Sequence, residues 1–137
     1  MELDNVIFLP FQPYEDLPSL LAASDVLLVP LDKEKTQLSV PSKLYNYIAA
    51  GRPILGLTAS TSEVARIIDN AECGLNAEPE DLDMIVKNIL DMKNSPENCK
   101  KFGQNARQYC VEFYSREKVL RKYEDSIISL QQKREEK

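Results

Sequence analysis

The alternation of short apolar runs with segments of helical periodicity constrains the fold most strongly. Four runs have the length and composition of strands, at residues 6–9, 26–29, 54–57 and 73–77. Between them, apolar side chains recur at the spacing of amphipathic helices. Strand–helix–strand units of this kind pack as parallel neighbours joined by a right-handed crossover. We therefore predict an α/β fold with about four parallel strands flanked by helices and a helical C-terminus.

The segment 39–53 predicts a loop, a short helix and the start of a strand. Pro41 suits the first turn of a helix, Ser42 is a good capping residue, and Gly51 has the usual C-terminal position. Lys43 in the first turn is unfavourable for the helix dipole, so it requires solvent or an anion. The amides of this helix start, with Lys43, would hold a phosphate or pyrophosphate. The alternative is an ordinary surface helix between two strands.

Two other segments at the predicted carboxyl edge of the sheet allow two structural or functional interpretations each. Ser60 or Thr61 is expected to cap the next helix, with Glu63 at capping-box spacing from Ser60. The alternative is a second anion-binding helix start facing the same crevice. The polar stretch 31–38 is either a solvated loop or a mobile lid over that crevice. Residues 79–81 are expected to cap a further amphipathic helix.

Charge and residue content exclude several functional classes. The net charge of −5 argues against a broad nucleic-acid surface, and the absence of histidine excludes a Ser-His-Asp triad, a Cys-His pair and a histidine metal site. Cys73, Cys99 and Cys110 lack metal-ligand spacing, as expected of free thiols in a reducing cytosol. No apolar run approaches the ~20 residues that cross a bilayer, and the acidic start is no signal peptide. We expect a cytoplasmic protein without a metal ion or cofactor.

Five groups of residues, taken in order, resemble one enzyme family. They are Asn-Val-Ile-Phe-Leu-Pro at 5–10, Leu-Pro-Ser-Leu-Leu-Ala-Ala-Ser-Asp-Val at 17–26, Val-Pro-Ser-Lys-Leu-Tyr at 40–45 with Ala-Ala-Gly-Arg-Pro-Ile at 49–54, Cys-Gly-Leu at 73–75 with Pro-Glu-Asp-Leu at 79–82, and Phe-Tyr-Ser-Arg-Glu at 113–117. The chain resembles the C-terminal, nucleotide-sugar-binding half of a GT-B glycosyltransferase of the glycosyl transferases group 1 family. The form at 40–45 is similar to a subgroup that builds bacterial and archaeal surface polysaccharides, often from UDP-linked amino sugars.

The resemblance implies a Rossmann-like partial domain whose donor cleft follows the carboxyl ends of the strands. The nucleobase would lie near Phe11 and Gln12. The residues that would meet the diphosphate and sugar of the donor are Ser39, Val40, Ser42 and Lys43. Where the family typically carries two glutamates, this sequence has Leu38 and Asn46. Asn46 remains the candidate for the ribose hydroxyls, without a carboxylate's strength, and no catalytic residue is assigned.

The resemblance also implies a retaining, metal-independent transfer from a nucleotide sugar, UDP-linked by similarity, to a polysaccharide or glycoconjugate acceptor. The N-terminal acceptor domain of such enzymes is expected to be missing, so the chain is interpreted as a fragment that is inactive alone. The full enzyme would associate with a membrane only as a peripheral protein. We divide the chain into a nucleotide-sugar-binding domain, 1–114, and a crossover helix with a charged tail, 115–137. The apolar stripe of that helix, partly exposed without its domain, would favour self-association.

Three alternatives remain open from the sequence. One is a non-catalytic nucleotide-binding or interaction module derived from this fold, which the replaced glutamates favour. Another is part of a UDP-sugar epimerase, which also uses two Rossmann-like halves. The third is a free-standing flavodoxin-like domain, for which the sequence offers no clustered acidic phosphorylation pocket.

Overall fold

One parallel sheet of three short strands forms the centre of the molecule. The structure, a computed structural model, describes residues 3–32 and 40–135. The strands are β1 (Leu27–Pro30), β2 (Ile54–Leu57) and β3 (Gly74–Ala77), in the order β1-β2-β3 and all parallel. The predicted α/β fold class is thereby confirmed. Three of the four predicted strands are present.

Helices precede, connect and follow the strands. After a single 3-10 turn (Tyr14–Asp16), the helices are α1 (Leu17–Ala23), α2 (Lys43–Ala50), α3 (Glu63–Ala71), α4 (Leu82–Asn94), α5 (Pro96–Phe113) and α6 (Arg116–Glu135). The break between α5 and α6 falls at residues 114–115, as the sequence predicts. Whether this break also separates two domains stays a prediction.

The core lies between the sheet and helices α2, α3 and α5. Val29 of β1 and Ile54 of β2 are completely buried, as are Leu44 of α2 and Ile68 of α3. The full cluster consists of Val29, Leu44, Ile48, Ile54, Val64, Ile67, Ile68, Ala71, Cys73 and Ala106. These residues recur at i, i+3, i+4 spacing on the helices, so each helix turns one apolar stripe to the sheet.

Helix α2 ends in a tight contact with α5. Gly51 follows the helix with φ +66°, in the left-handed region that glycine adopts without strain, and its amide donates to the Ile48 carbonyl at 3.1 Å. A Cβ on Gly103 of α5 would lie 2.5 Å from the Gly51 carbonyl oxygen. The two backbones therefore approach more closely than any side chain would allow. Arg107 adds a hydrogen bond from Nη1 to the Ala49 carbonyl at 2.9 Å.

The prediction of a strand at residues 6–9 is wrong. Residues 5–13 have no regular secondary structure, and Ile7, Phe8 and Leu9 are 82%, 92% and 65% exposed. A strand exists only where another strand accepts its backbone hydrogen bonds. The segment pairs with no described strand, and local composition could not supply that partner.

Two predicted helix caps are also corrected. Ser42 precedes α2 but makes no side-chain capping bond, because its own backbone is already helical (φ −56°, ψ −28°). Helix α3 is capped by Ser62, whose Oγ accepts from the Ala65 amide at 2.9 Å, and not by Ser60 or Thr61. The predicted cap of α4 is confirmed at Asp81, which accepts from the Met84 amide at 3.0 Å.

Candidate functional site

The carboxyl edge of the sheet carries the starts of three helices. Because the strands are parallel, β1, β2 and β3 end at the same edge, and α2, α3 and α4 begin beyond them. In open α/β sheets this edge is where ligands bind. The start of α4 carries Asp81 and Asp83, and the starts of α2 and α3 differ sharply in charge and in their hydrogen bonds.

The start of α2 presents one cation and no acid. Lys43 is half-buried in the first turn, which holds no acidic residue, and Ser42 beside it is exposed. The amides of Leu44 and Tyr45 donate to the carbonyls of Pro41 and Ser42 at 3.0 and 3.1 Å. The first turn of α2 therefore combines a lysine with the first backbone hydrogen bonds of the helix and holds no acidic residue.

Of the other residues predicted to contact the diphosphate or the ribose, Val40 and Asn46 are described by the structure and Ser39 is not. Val40 is half-buried and packs against the core, so its side chain anchors the entry to α2. Ser39 lies outside the described residues, as do residues 33–38 of the predicted loop or lid. Asn46 is exposed on α2, one turn after Ser42 and therefore on the same side of the helix.

The two nucleobase candidates lie in the segment that precedes α1. The Phe11 side chain is 97% exposed, so it packs against nothing. Gln12 folds back locally, with Nε2 donating to the Pro10 carbonyl at 2.8 Å. Their role in binding a base stays a prediction.

The start of α3 is occupied by carboxylates. The Ser60 amide donates to Oε1 of Glu78 at 2.7 Å. Glu63 in the first turn pairs with Arg66, whose hydrogen bond lowers the pKa of the Glu63 carboxyl. A second anion at this helix start would meet two negative charges. Of the three helix starts at this edge, that of α2 is the one with no acidic residue in its first turn, so it is the one suited to an anion.

A buried polar network, which sequence reasoning missed, fixes the segment between β2 and α3. The Thr58 hydroxyl donates to Oδ1 of Asn76 at 3.0 Å, and Ser62 Oγ lies 2.8 Å from the same Thr58 oxygen. Asn76 Nδ2 donates back to the Thr58 carbonyl at 2.9 Å, and Asn88 Nδ2 donates to the Asn76 carbonyl at 3.1 Å. Among described residues, no buried side-chain polar atom lacks a partner. The network holds β2, β3 and α4 together at the carboxyl edge.

An aromatic cluster braces α2 from the side of α5. The rings of Tyr45 and Tyr114 meet edge to face with centroids 5.0 Å apart, and Tyr109 lies 5.7 Å from Tyr114. Burial, reinforced by the neighbouring tyrosines, raises the pKa of Tyr114 to about 12. The cluster packs α5 and the residue that follows it against α2.

Residues 3–32 and 40–135 contain neither a candidate metal site nor a helix that could span a membrane. No three side chains of His, Cys, Asp or Glu lie together in a way that could hold a metal ion. None of the described helices combines the length and apolar character needed to span a membrane.

The parallel sheet and its flanking helices define a partial Rossmann-like domain. The sequence model of the family "Glycosyl transferases group 1" matches residues 1–109. The chain therefore belongs to the glycosyl transferases group 1 family.

Two curated relatives are similar to this chain over different lengths. "Probable glycosyltransferase WbjE" of Pseudomonas aeruginosa is 46% identical over 61 residues, which cover 44% of this chain and 15% of the relative. "Putative colanic acid biosynthesis glycosyl transferase WcaI" of Escherichia coli (strain K12) is 30% identical over 129 residues, which cover 91% of this chain and 30% of the relative. The chain thus spans less than a third of either relative. No solved structure matches it.

Proposed function

We propose that this chain is the donor-binding part of a glycosyltransferase and binds a nucleoside diphosphate sugar at the start of α2. The observation that carries the proposal is the contrast between the starts of α2 and α3. Lys43 lies in the first turn of α2, which holds no acidic residue, whereas Glu63 and Glu78 occupy the start of α3. A helix start with a cation and no acid favours a diphosphate.

The donor would lie along α2 in a defined direction. Its diphosphate meets Ser39, Val40, Ser42 and Lys43, and its ribose hydroxyls face Asn46 one turn further on. Phe11 and Gln12 are the candidates for the base. An exposed aromatic ring such as Phe11 can gain burial by stacking on a base.

The chemistry proposed for this part is electrostatic. Helix amides and Lys43 would stabilise the charge that develops on the leaving diphosphate. By the family resemblance we propose a retaining, metal-independent transfer from a UDP-linked sugar, in the cytoplasm. The printed name of the E. coli relative refers to colanic acid biosynthesis, which supports a polysaccharide acceptor here. The acceptor domain and a general base would come from other parts of the enzyme, since the chain matches only 15% and 30% of its relatives.

Thermal unfolding with UDP, ADP and GDP, each up to millimolar, tests the proposal. A nucleotide at ~100 times its dissociation constant adds about 2.7 kcal/mol to the free energy of unfolding, which corresponds to several degrees. We expect the largest increase with UDP. The increase should fall with Lys43→Ala, because the ammonium group facing the diphosphate is removed.

The matched control is Lys87→Ala, which removes an exposed lysine from α4. It should leave the UDP effect unchanged. An equal loss in both variants would mean that only net charge matters, and no response to any nucleotide would contradict donor binding by this chain.

A non-catalytic interaction module is the second candidate. The observation in its favour is that Leu38 and Asn46 stand where the family typically carries glutamates. Such a module would fold normally but give no thermal response to nucleotides. The same experiment therefore separates the two functions.

A further inference from the structure

The tyrosine that follows α5 lies against the first turn of α2. The rings of Tyr114 and Tyr45 meet edge to face, with centroids 5.0 Å apart and an interplanar angle of 70°. Tyr45 comes two residues after Lys43, and its amide makes one of the first backbone hydrogen bonds of α2, to the Ser42 carbonyl at 3.1 Å. The ring contact therefore falls on the turn that carries Lys43.

Tyr114 is itself held in place by a residue that packs on the core. Tyr109 of α5 packs against the buried core cluster, and its ring centroid lies 5.7 Å from that of Tyr114. The Tyr114 amide donates to the Cys110 carbonyl at 2.9 Å, in the hydrogen bond that closes α5. A continuous series of ring contacts therefore joins the core to the first turn of α2, in the order Tyr109, Tyr114, Tyr45.

The Tyr114 side chain brings no charge to this edge of the sheet. Burial, reinforced by Tyr109 and Tyr45, raises the pKa of its hydroxyl to about 12, and the Glu63 carboxylate at the start of α3 contributes to the rise. The hydroxyl therefore keeps its proton at neutral pH. Any effect of Tyr114 on an anion at the start of α2 has to come from geometry.

The contact with Tyr45 limits the rotation of α2 about its own axis. Successive residues of an α-helix are about 100° apart, so Lys43 and Tyr45 flank the completely buried Leu44 on opposite sides. Leu44 and Ile48 hold the helix against the sheet along one face. A roll about that face would move Lys43 and Tyr45 in opposite directions relative to the sheet. A ring that stops Tyr45 from moving therefore also fixes Lys43.

The other end of α2 has a separate attachment to α5. Gly51 and Gly103 are in close backbone contact, and Arg107 donates to the Ala49 carbonyl at 2.9 Å. Helix α5 and the residue after it thus hold α2 at both ends. The aromatic contact is the one at the end where the donor is proposed to bind.

We propose that Tyr114 is a positioning residue for the donor diphosphate, because its ring holds the first turn of α2 in the orientation in which Lys43 meets the diphosphate. Tyr114 acts through Tyr45 and is not itself a ligand of the donor. The edge-to-face contact needs the ring and not the hydroxyl. This inference rests on the proposed donor site and adds to it a residue from the far end of α5.

Calorimetric dissociation constants of UDP and pyrophosphate for Tyr114→Leu and Tyr114→Phe test this role. Leucine removes the ring and keeps an apolar side chain, so both ligands should bind about fivefold more weakly, as expected for the loss of one aromatic pair. Phenylalanine keeps the ring and should restore native affinity. In the Lys43→Ala background, Tyr114→Leu should weaken binding little further, because the group that it positions is already gone.

Phe113→Leu is the matched control. The Phe113 ring lies 4.6 Å from that of Tyr109 in the same cluster, and Tyr109 is the one described ring that it meets. The control should lower the free energy of unfolding much as Tyr114→Leu does, but leave both dissociation constants unchanged. Equal weakening of binding in the two leucine variants, or native affinity in Tyr114→Leu, would overturn the positioning role.

Amide hydrogen exchange, which needs no ligand, separates a failure of this inference from a failure of the donor site. Tyr114→Leu should speed exchange at the Leu44 and Tyr45 amides and leave Gly51, at the other end of α2, at its native rate. Native exchange at Leu44 and Tyr45 would overturn the inference alone. A native chain that binds neither UDP nor pyrophosphate would overturn the proposed donor site, and with it the positioning of a diphosphate by Tyr114.

Discussion

Asn76 and Thr58 are joined by two hydrogen bonds of opposite direction. Asn76 donates from Nδ2 to the Thr58 carbonyl at 2.9 Å, and its Oδ1 accepts from the Thr58 hydroxyl at 3.0 Å. An amide is the side chain that can donate and accept from one planar group in this way. The pair links the end of β2 to β3, eighteen residues further along the chain.

Asn76→Asp should destabilise the fold although it hardly changes the shape of the side chain. The carboxylate cannot donate to the Thr58 carbonyl, which is then left beside a negative charge. We expect a loss of about 1–3 kcal/mol in the free energy of unfolding, measured with urea. Asn70→Asp on the exposed side of α3 is the control and should change little. Similar losses at both positions would contradict the role of the network.

Gly74→Ala should be among the most damaging small substitutions. A Cβ at this position would lie 1.8 Å from the Ile54 carbonyl oxygen, a backbone atom that β2 cannot move without losing its pairing. We expect a loss of about 3 kcal/mol or more. Gly51→Asn is the comparison, because asparagine tolerates φ > 0 and the nearest atom would be 3.3 Å away. The prediction fails if the two variants unfold at the same urea concentration.

Cys73 should make stability depend on alkaline pH. Burial raises the pKa of the Cys73 thiol from 9.0 to about 12. The folded state therefore retains the proton at pH values where the unfolded chain has lost it. The stabilisation is complete below about pH 9 and is lost as the pH rises toward about 12, at up to ~1.4 kcal/mol per pH unit.

Urea unfolding of native chain and Cys73→Ala at several pH values checks this linkage. The variant should be less stable at neutral pH, because the side chain is fully buried, but its stability should fall less steeply above about pH 9. Parallel curves for the two proteins would contradict the prediction.

Asn46→Glu should strengthen nucleotide binding if Asn46 faces the ribose. A carboxylate accepts hydroxyl protons in charge-assisted hydrogen bonds that are about twice as strong as neutral ones. We expect a gain of about 1 kcal/mol, or about fivefold in the dissociation constant of UDP. Pyrophosphate, which lacks a ribose, should show no gain. A gain for both ligands, or for Asn70→Glu as well, would place the effect elsewhere than at the ribose.

The elements that sequence reasoning predicted correctly are those with local causes. Helix α2 follows Pro41 and stops at Gly51 because both residues constrain the backbone at their own positions. The strand at 54–57 follows a proline and is apolar throughout, so its composition alone indicated that the strand would be buried. The break between α5 and α6 likewise coincides with a change of local pattern.

The features that were missed depend on distant partners. Residues 6–9 have strand composition but no strand to pair with in the described structure, and composition cannot report that. Ser62 caps α3 instead of Ser60 because Thr58 holds it and Glu78 takes the Ser60 amide. The Thr58–Asn76 pair had one weak signal, an asparagine inside a predicted strand. Of the candidate site, the sequence indicated the start of α2 and Glu63 at the start of α3, but not Glu78, which accepts from the Ser60 amide.

The outer edge of β1 has a consequence for how the chain behaves in concentrated solution. Leu27 and Leu31 donate their amides to the side of β2, at Pro53 and Leu57, and no described strand lies along the other side. Residues 6–9 are exposed, apolar and rich in β-forming side chains. Each molecule therefore has an open sheet edge at β1 and an unpaired strand-forming segment at residues 6–9. The segment of one molecule can pair with the β1 edge of another, and repeated pairing of this kind leads to aggregation. Solubility should therefore be limited by this pair of features, and a single lysine at Ile7 should raise it without touching the sheet.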